Sequence, residues 1–261
     1  MTQDIKVCLP VNILEKQWAE KLLEGSVFMR SLYEFGAWNT DANVKGKEMD
    51  NSFRRDVGEG MIRNINPKTG DSFFDSIFSP QEKTIIKNFW YIDESLKFFK
   101  IYCMYCLTYN TNKKEFERPD ERIKDFGDTA VIIRNGKEFT HRVVQKLFYG
   151  FGDNVHFDMK QVSYYDISKD FGDFGIFWKG KGYEWQNELR MAVALLDCRN
   201  RKIDENGNRF GILIESIDPI KLEIGSIRDI AVAIPTEELV NLKLPAGIVL
   251  PDYQDVMKQK M

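Results

Sequence analysis

Lys179-Gly-Lys-Gly-Tyr-Glu-Trp-Gln-Asn-Glu-Leu-Arg-Met-Ala-Val-Ala-Leu-Leu196 decides the reading of this chain, because an apolar strand begins here straight after a glycine-rich, aromatic turn. With a period of two, Leu189, Met191, Val193 and Leu195 share one face, while Gln186, Glu188, Arg190, Ala192 and Ala194 share the other. One sheet face therefore carries an amide, a carboxylate and a guanidinium side by side. The pattern reads in two ways, as a set of functional side chains or as a Glu–Arg pair stitching a sheet margin.

Further strands are expected around it. Phe98 to Tyr109 is a continuous apolar run of central-strand character, and Thr129 to Arg134 is β-branched. Val155 to Tyr165, Phe210 to Ile214, Lys221 to Ile224 and Ile230 to Ile234 extend the sheet. Ser26 to Phe35 reads as a strand in which Phe28, Arg30 and Leu32 share a face, setting a guanidinium in an apolar stripe. Helices are expected from Ile13 to Gly25, capped by Asn12 and closed by Gly25, and from Glu138 to Phe148, where Phe139, Val143, Val144 and Leu147 repeat at helical spacing. Asn135-Gly136 signals a turn, the segment from Pro80 reads as a short helix or an inserted connection, and Pro235 opens a last helix. Asn39 to Gly60 reads as a polar loop with a short helix. The sum is an α+β chain, a single domain over residues 1–261, with helices early and a twisted, mainly antiparallel sheet later, flanked by helices.

Composition excludes several classes. At 261 residues with 43% apolar and 30% charged residues, the chain can bury a full core and does not read as disordered. A net charge of −3 supplies no global field for a nucleic-acid backbone, which leaves only a local basic groove open. No apolar run approaches a bilayer span and no signal pattern opens the chain, so a cytoplasmic protein without membrane attachment is expected. Cys8, Cys103, Cys106 and Cys198 are too scattered for a disulfide framework and read as reduced thiols. Strand alternation points Cys103 and Cys106 to opposite faces, against a joint metal or redox role. His141 and His156 have no metal-ligand spacing.

Phe28-Met-Arg30, Arg55-Asp56 with Glu59-Gly60, Tyr105-Cys-Leu-Thr108, Phe126-Gly-Asp128, and Phe177-Trp-Lys179 leading to Trp185-Gln-Asn-Glu-Leu-Arg190 resemble an uncharacterised family of bacterial and phage proteins. A Q-x-E-x-R signature closes the C-terminal half of that family, and its order of elements resembles ADP-ribosyltransferase folds. The likeness spans roughly residues 13–240. It implies a site on this chain. Arg30 would grip a phosphate of NAD as a forked donor, and Thr108 would stand at the family's Ser-Thr-Ser strand, where this chain instead has Cys106-Leu-Thr108. Glu188 would meet the ribose, and Gln186 would orient an acceptor.

The chemistry supplies its own reason for such a carboxylate. Cleaving an N-glycosidic bond develops positive charge on the sugar, which a nearby carboxylate stabilises. Tyr183, Trp185 and Phe35 would then stack on the nicotinamide or adenine as cofactor-binding walls, although aromatic residues serve more often as core. Arg55, Asp56 and Glu59 would contact substrate from a loop, or simply be solvated, and Arg190 completes the charged face. Asp173, Glu184 and Glu188 also resemble the spaced carboxylates that hold Mg²⁺ in nucleases. The resemblance thus implies an NAD-cleaving enzyme of toxin, defence or counter-defence systems, passing ADP-ribose to an unknown macromolecular acceptor. The altered Ser-Thr-Ser position keeps a non-catalytic binding or inhibitory protein of the same fold open.

Overall fold

The computed structural model describes residues 6–35, 61–66, 72–86, 89–203, 209–245 and 248. Strands β1 (Lys6–Leu14) and β2 (Ser26–Ser31) flank helix α1 (Lys16–Leu23). Strand β3 (Met61–Ile65), helices α2 (Ser72–Ile77) and α3 (Pro80–Ile85) and strand β4 (Phe89–Ile92) come next. Strands β5 (Lys100–Asn110), β6 (Glu115–Phe116) and β7 (Thr129–Ile133) precede the long helix α4 (Gly136–Phe151). Beyond it lie β8 (Val155–Gln161), β9 (Ser163–Tyr165), β10 (Gly172–Asp173), β11 (Trp178–Gly180), β12 (Glu188–Ile203), β13 (Arg209–Leu213), β14 (Ile220–Glu223), β15 (Ala231–Pro235) and helix α5 (Thr236–Val240). The fold is α+β, with mainly antiparallel sheets and few helices.

The main sheet runs β13-β12-β5-β1-β7-β15, with β8 on β12, β2 and β6 on β5, and β14 on β2. Its second-longest strand is the apolar run expected at Phe98 to Tyr109. The expected early helix begins later, because β1 occupies residues as far as Leu14 and Glu15 stands at the helix N-cap. Asn12 is a buried strand residue and not a cap. Pro10 fits because β1 pairs with β5 through residues 6–11 and with β7 only from Val11 onward, so one flank of Pro10 is unpaired. A strand from the first described residues therefore lies at the sheet centre, and helices do not come first.

Both faces of this sheet are covered. Met104, Cys106, Val131, Leu189, Met191 and Val193 meet α1 and α4 through Leu22, Phe139, Val143 and Leu147. On the other face, Leu9, Val11, Leu107 and Ile132 pack beneath Ile123, Leu239 and Val240. Helix α4 carries the expected apolar repeat, but Asn135 caps it by accepting a hydrogen bond from Glu138 N–H at 3.0 Å and makes no hairpin turn. Strand β2 also turns over relative to expectation. Val27, Met29 and Ser31 are buried, while Phe28 and Arg30 are exposed, and Leu32 belongs to the following 3-10 turn.

Two glycines permit backbone contact. Gly25 has φ +98°, and a Cβ there would lie 2.1 Å from the Gly225 carbonyl oxygen. Gly127 presses on β1, where a Cβ would meet the Leu14 carbonyl carbon at 2.1 Å. Cys103 and Cys106 do face opposite ways, one beside Ile101 and Ala192, the other in the α1–α4 core. The reading of four reduced thiols is corrected, since Cys8 and Cys106 are joined across β1 and β5 with Cα atoms 5.2 Å apart, while Cys103 and Cys198 keep their thiols. Among the described residues, no helix is long and apolar enough to cross a membrane.

Candidate functional site

The charged face of β12 is built by a reversal of the chain. Strand β11 runs parallel to β9, and the 3-10 turn Lys181–Gln186 follows. Asn187 then takes the left-handed conformation at φ 38° and ψ 55°, and β12 begins. This folds Lys179 back over Glu188. Lys179 Nζ donates to Glu188 Oε2 at 3.1 Å and to Gln186 Oε1 at 2.8 Å. Arg190, two residues further along the same face, donates through Nε to Glu188 Oε1 at 2.7 Å. A second guanidinium nitrogen, Nη1, bonds the Ile176 carbonyl.

All four side chains are buried, with Arg190 at 0% and Glu188 at 4% exposure. Burial by itself pushes the Glu188 carboxyl up. The Arg190 and Lys179 charges, with hydrogen bonds from Arg190 and the Cys103 thiol, outweigh it and hold the group well below the usual carboxylate range. Burial, and then the Glu188 charge, push the Cys103 thiol well above its ordinary value. The Glu188 N–H donates to the Tyr164 hydroxyl at 2.9 Å, and burial raises that phenol as well.

Asn187 is the hinge of the group. Its Nδ2 donates to the Cys106 carbonyl at 2.5 Å and to Thr108 Oγ1 at 3.0 Å, and its Oδ1 accepts from Gln161 Nε2 at 2.8 Å. The Cys106 N–H returns a bond to the Asn187 carbonyl at 2.7 Å. Side-chain amides tolerate this conformation best after glycine, so Asn is the apt residue for a tight reversal that must also grip the next strand.

The expected site residues divide accordingly. Gln186, Glu188 and Arg190 come together as one bonded group. Thr108 is buried beneath Asn187 and acts there as an acceptor. Tyr183 lies against the Lys179 ammonium at 5.2 Å, and Trp185 is stacked on Phe126 at 5.6 Å and lies 4.7 Å from the Arg122 guanidinium. Arg30 is exposed and paired with Glu34 at 3.1 Å. Arg55, Asp56 and Glu59 lie outside the described residues.

The three spaced carboxylates do not gather. Asp173 pairs with Arg63 at 3.0 Å, Glu184 is exposed on the 3-10 turn, and Glu188 is held by its two cations. Among the described residues, no three His, Cys, Asp or Glu side chains come together as a metal ion would require. Lys179, Tyr164 and Asn187 are the members that period-two reading misses, because each reaches the group across a turn or from another strand. The one local signal is Asn187 itself, an Asn at the junction of a glycine-rich turn and a strand.

Two open clefts lie elsewhere. One, of about 580 Å³, is lined by Arg142, Gln145, Lys146, Phe148, Tyr149 and Ile224. The other, of about 360 Å³, lies by Phe151, Asn154, Leu196 and Ile214. The first is formed on α4, which packs on the opposite face of the sheet from Glu188. No protein family, curated protein or solved structure matches the chain.

Proposed function

We propose that this chain acts by binding, as a capturing or inhibitory protein on an ADP-ribosyltransferase-like scaffold, and that Lys179, Glu188 and Arg190 serve it as a structural clamp. The observation that carries this reading is the state of Glu188. Both of its oxygens are engaged by cations, and the side chain is almost wholly buried. A carboxylate that meets a ribose or a developing sugar cation must present a free oxygen to it. Releasing one here would break a buried ion pair with Lys179 or Arg190, which is strongly unfavourable.

A second reading, cleavage of the nicotinamide bond of NAD with transfer of ADP-ribose to a macromolecular acceptor, draws on the register of the sheet. Arg30 and Ala192 are both partners of Ile101, so Arg30 and Glu188 belong to the same sheet face. Four residues along β12 and two strand spacings put their Cα atoms roughly 16 Å apart, a span of the order of an extended dinucleotide.

Incubating the protein with NAD⁺ and cell lysate, and following nicotinamide release in wild type and Glu188→Gln at matched folded concentration, separates the two. No Glu188-dependent release is expected. Release that disappears with the substitution would overturn the binding reading and establish the second.

A further inference from the structure

We propose that Cys8 and Cys106 form a reversible redox latch whose state is passed through Asn187 to Glu188. Three observations place it. The two sulfurs are joined across neighbouring strands, with a Cα separation inside the range that a disulfide accepts without backbone movement. Cys106 is 1% exposed, whereas Cys8 is half-buried near the start of β1, so one member is open to a small reagent and the other is sheltered. Finally, the peptide groups of Cys106 hold Asn187 on both sides, its N–H donating to the Asn187 carbonyl and its carbonyl accepting from Asn187 Nδ2. Glu188 is the next residue.

The chemistry is thiol–disulfide exchange with a low-molecular-weight disulfide. The Cys8 thiolate attacks one sulfur of the reagent, forming a mixed disulfide and expelling one small thiol. The Cys106 thiolate then attacks the Cys8 sulfur, closing the Cys8–Cys106 bond and releasing the second small thiol. Two cysteine thiols are oxidised and one small disulfide is reduced to two thiols, so electrons and protons balance. A small dithiol reverses both steps. Neither Cys103 nor Cys198 competes, because Cys103 faces the other side of the sheet and Cys198 lies far along β12 beside Asp153.

Closing the bond fixes the separation of β1 and β5 at Cys106. Opening it lets the two strands adjust by the difference between a covalent bond and a sulfur–sulfur contact. That adjustment falls on the peptide that positions Asn187, and so on the left-handed turn that delivers Glu188 to Lys179 and Arg190. The latch stands apart from the binding reading, since it concerns the geometry of the clamp whatever the clamp supports.

The test uses the whole chain, equilibrated with glutathione disulfide or with dithiothreitol, alongside Cys8→Ser and, as a control, Cys198→Ser. Peptide mapping without reduction reads which cysteines join, and amide hydrogen exchange reads the backbone at Cys106, Asn187 and Glu188. A Cys8–Cys106 cross-link is expected in wild type and Cys198→Ser, with exchange at those three amides slowed about tenfold on oxidation. Cys8→Ser should show no cross-link and no redox-dependent exchange. Failure of the cross-link to form would overturn the proposal. A cross-link that leaves exchange at Asn187 and Glu188 unchanged would overturn it equally, reducing the pair to a local staple.

Discussion

Arg190 Nε and Glu188 Oε1 are 2.7 Å apart on one face of a single strand, with Lys179 closing the carboxylate from the other side. Replacing the carboxylate leaves two buried cations with one counter-charge removed. Glu188→Gln keeps the shape and should lose about 3–5 kcal/mol of stability. Urea unfolding checks it, and a loss below about 1 kcal/mol would show that the cations find other support.

The same group sets a pH dependence. Its folded-state pKa lies below that of the unfolded chain, near 4.3 for a glutamate. The stabilisation is therefore complete above that value and drains away as pH falls through and below it. Melting temperatures of wild type and Glu188→Gln should differ by a constant amount from pH 6 to 7 and converge progressively below about pH 4. A gap that widened in acid would contradict the pairing.

Asn187 permits two effects to be separated. Asn187→Gly keeps access to the left-handed conformation but loses the bonds to Cys106 and Thr108, at about 1 kcal/mol each. Asn187→Ala loses the same bonds and must also strain its backbone, adding about 1–2 kcal/mol. Denaturation midpoints in the order wild type, Gly, Ala are expected.

Gly127→Ala should destabilise by about 1–3 kcal/mol, because the new methyl would meet the backbone of Leu14 and not a side chain able to move. Gly150→Ala in α4 has nothing within 4 Å and should raise stability by about 0.4–1 kcal/mol. Opposite signs from the same chemical change would tie the effect to the close approach.

The legible part of this fold was the part with strong local periodicity. β5, β7, α4 and the start of β12 match their expected positions because continuous apolar runs and a helical repeat overwhelm local exceptions. β1 escaped because Pro10 interrupts its reading as a strand and Asn12 imitates a helix cap. β2 starts where its sequence indicates but stops at Ser31 and presents the opposite face, since its apolar residues occur on both faces and the short span Val27 to Leu32 does not say which is covered. The pairing of Glu188 with Arg190 follows from alternation alone. Lys179 does not, because it arrives over a reversal whose direction depends on Asn187 and on contacts with β5 from some eighty residues away.

The central position of β1 also governs how the protein comes into being. Its partners lie at residues 105–110 and 129–132, and β2 waits for β14 at residues 220–223. On a ribosome both strands emerge well before β5, their first partner, and β2 gains its longer pairing with β14 only near the end of synthesis. Such distant pairing places the protein among slow folders. Pro10, the flanking Lys6 and the exposed charges of α1 are then useful beyond the finished structure, since they discourage an orphaned apolar strand from pairing with the wrong neighbour during synthesis.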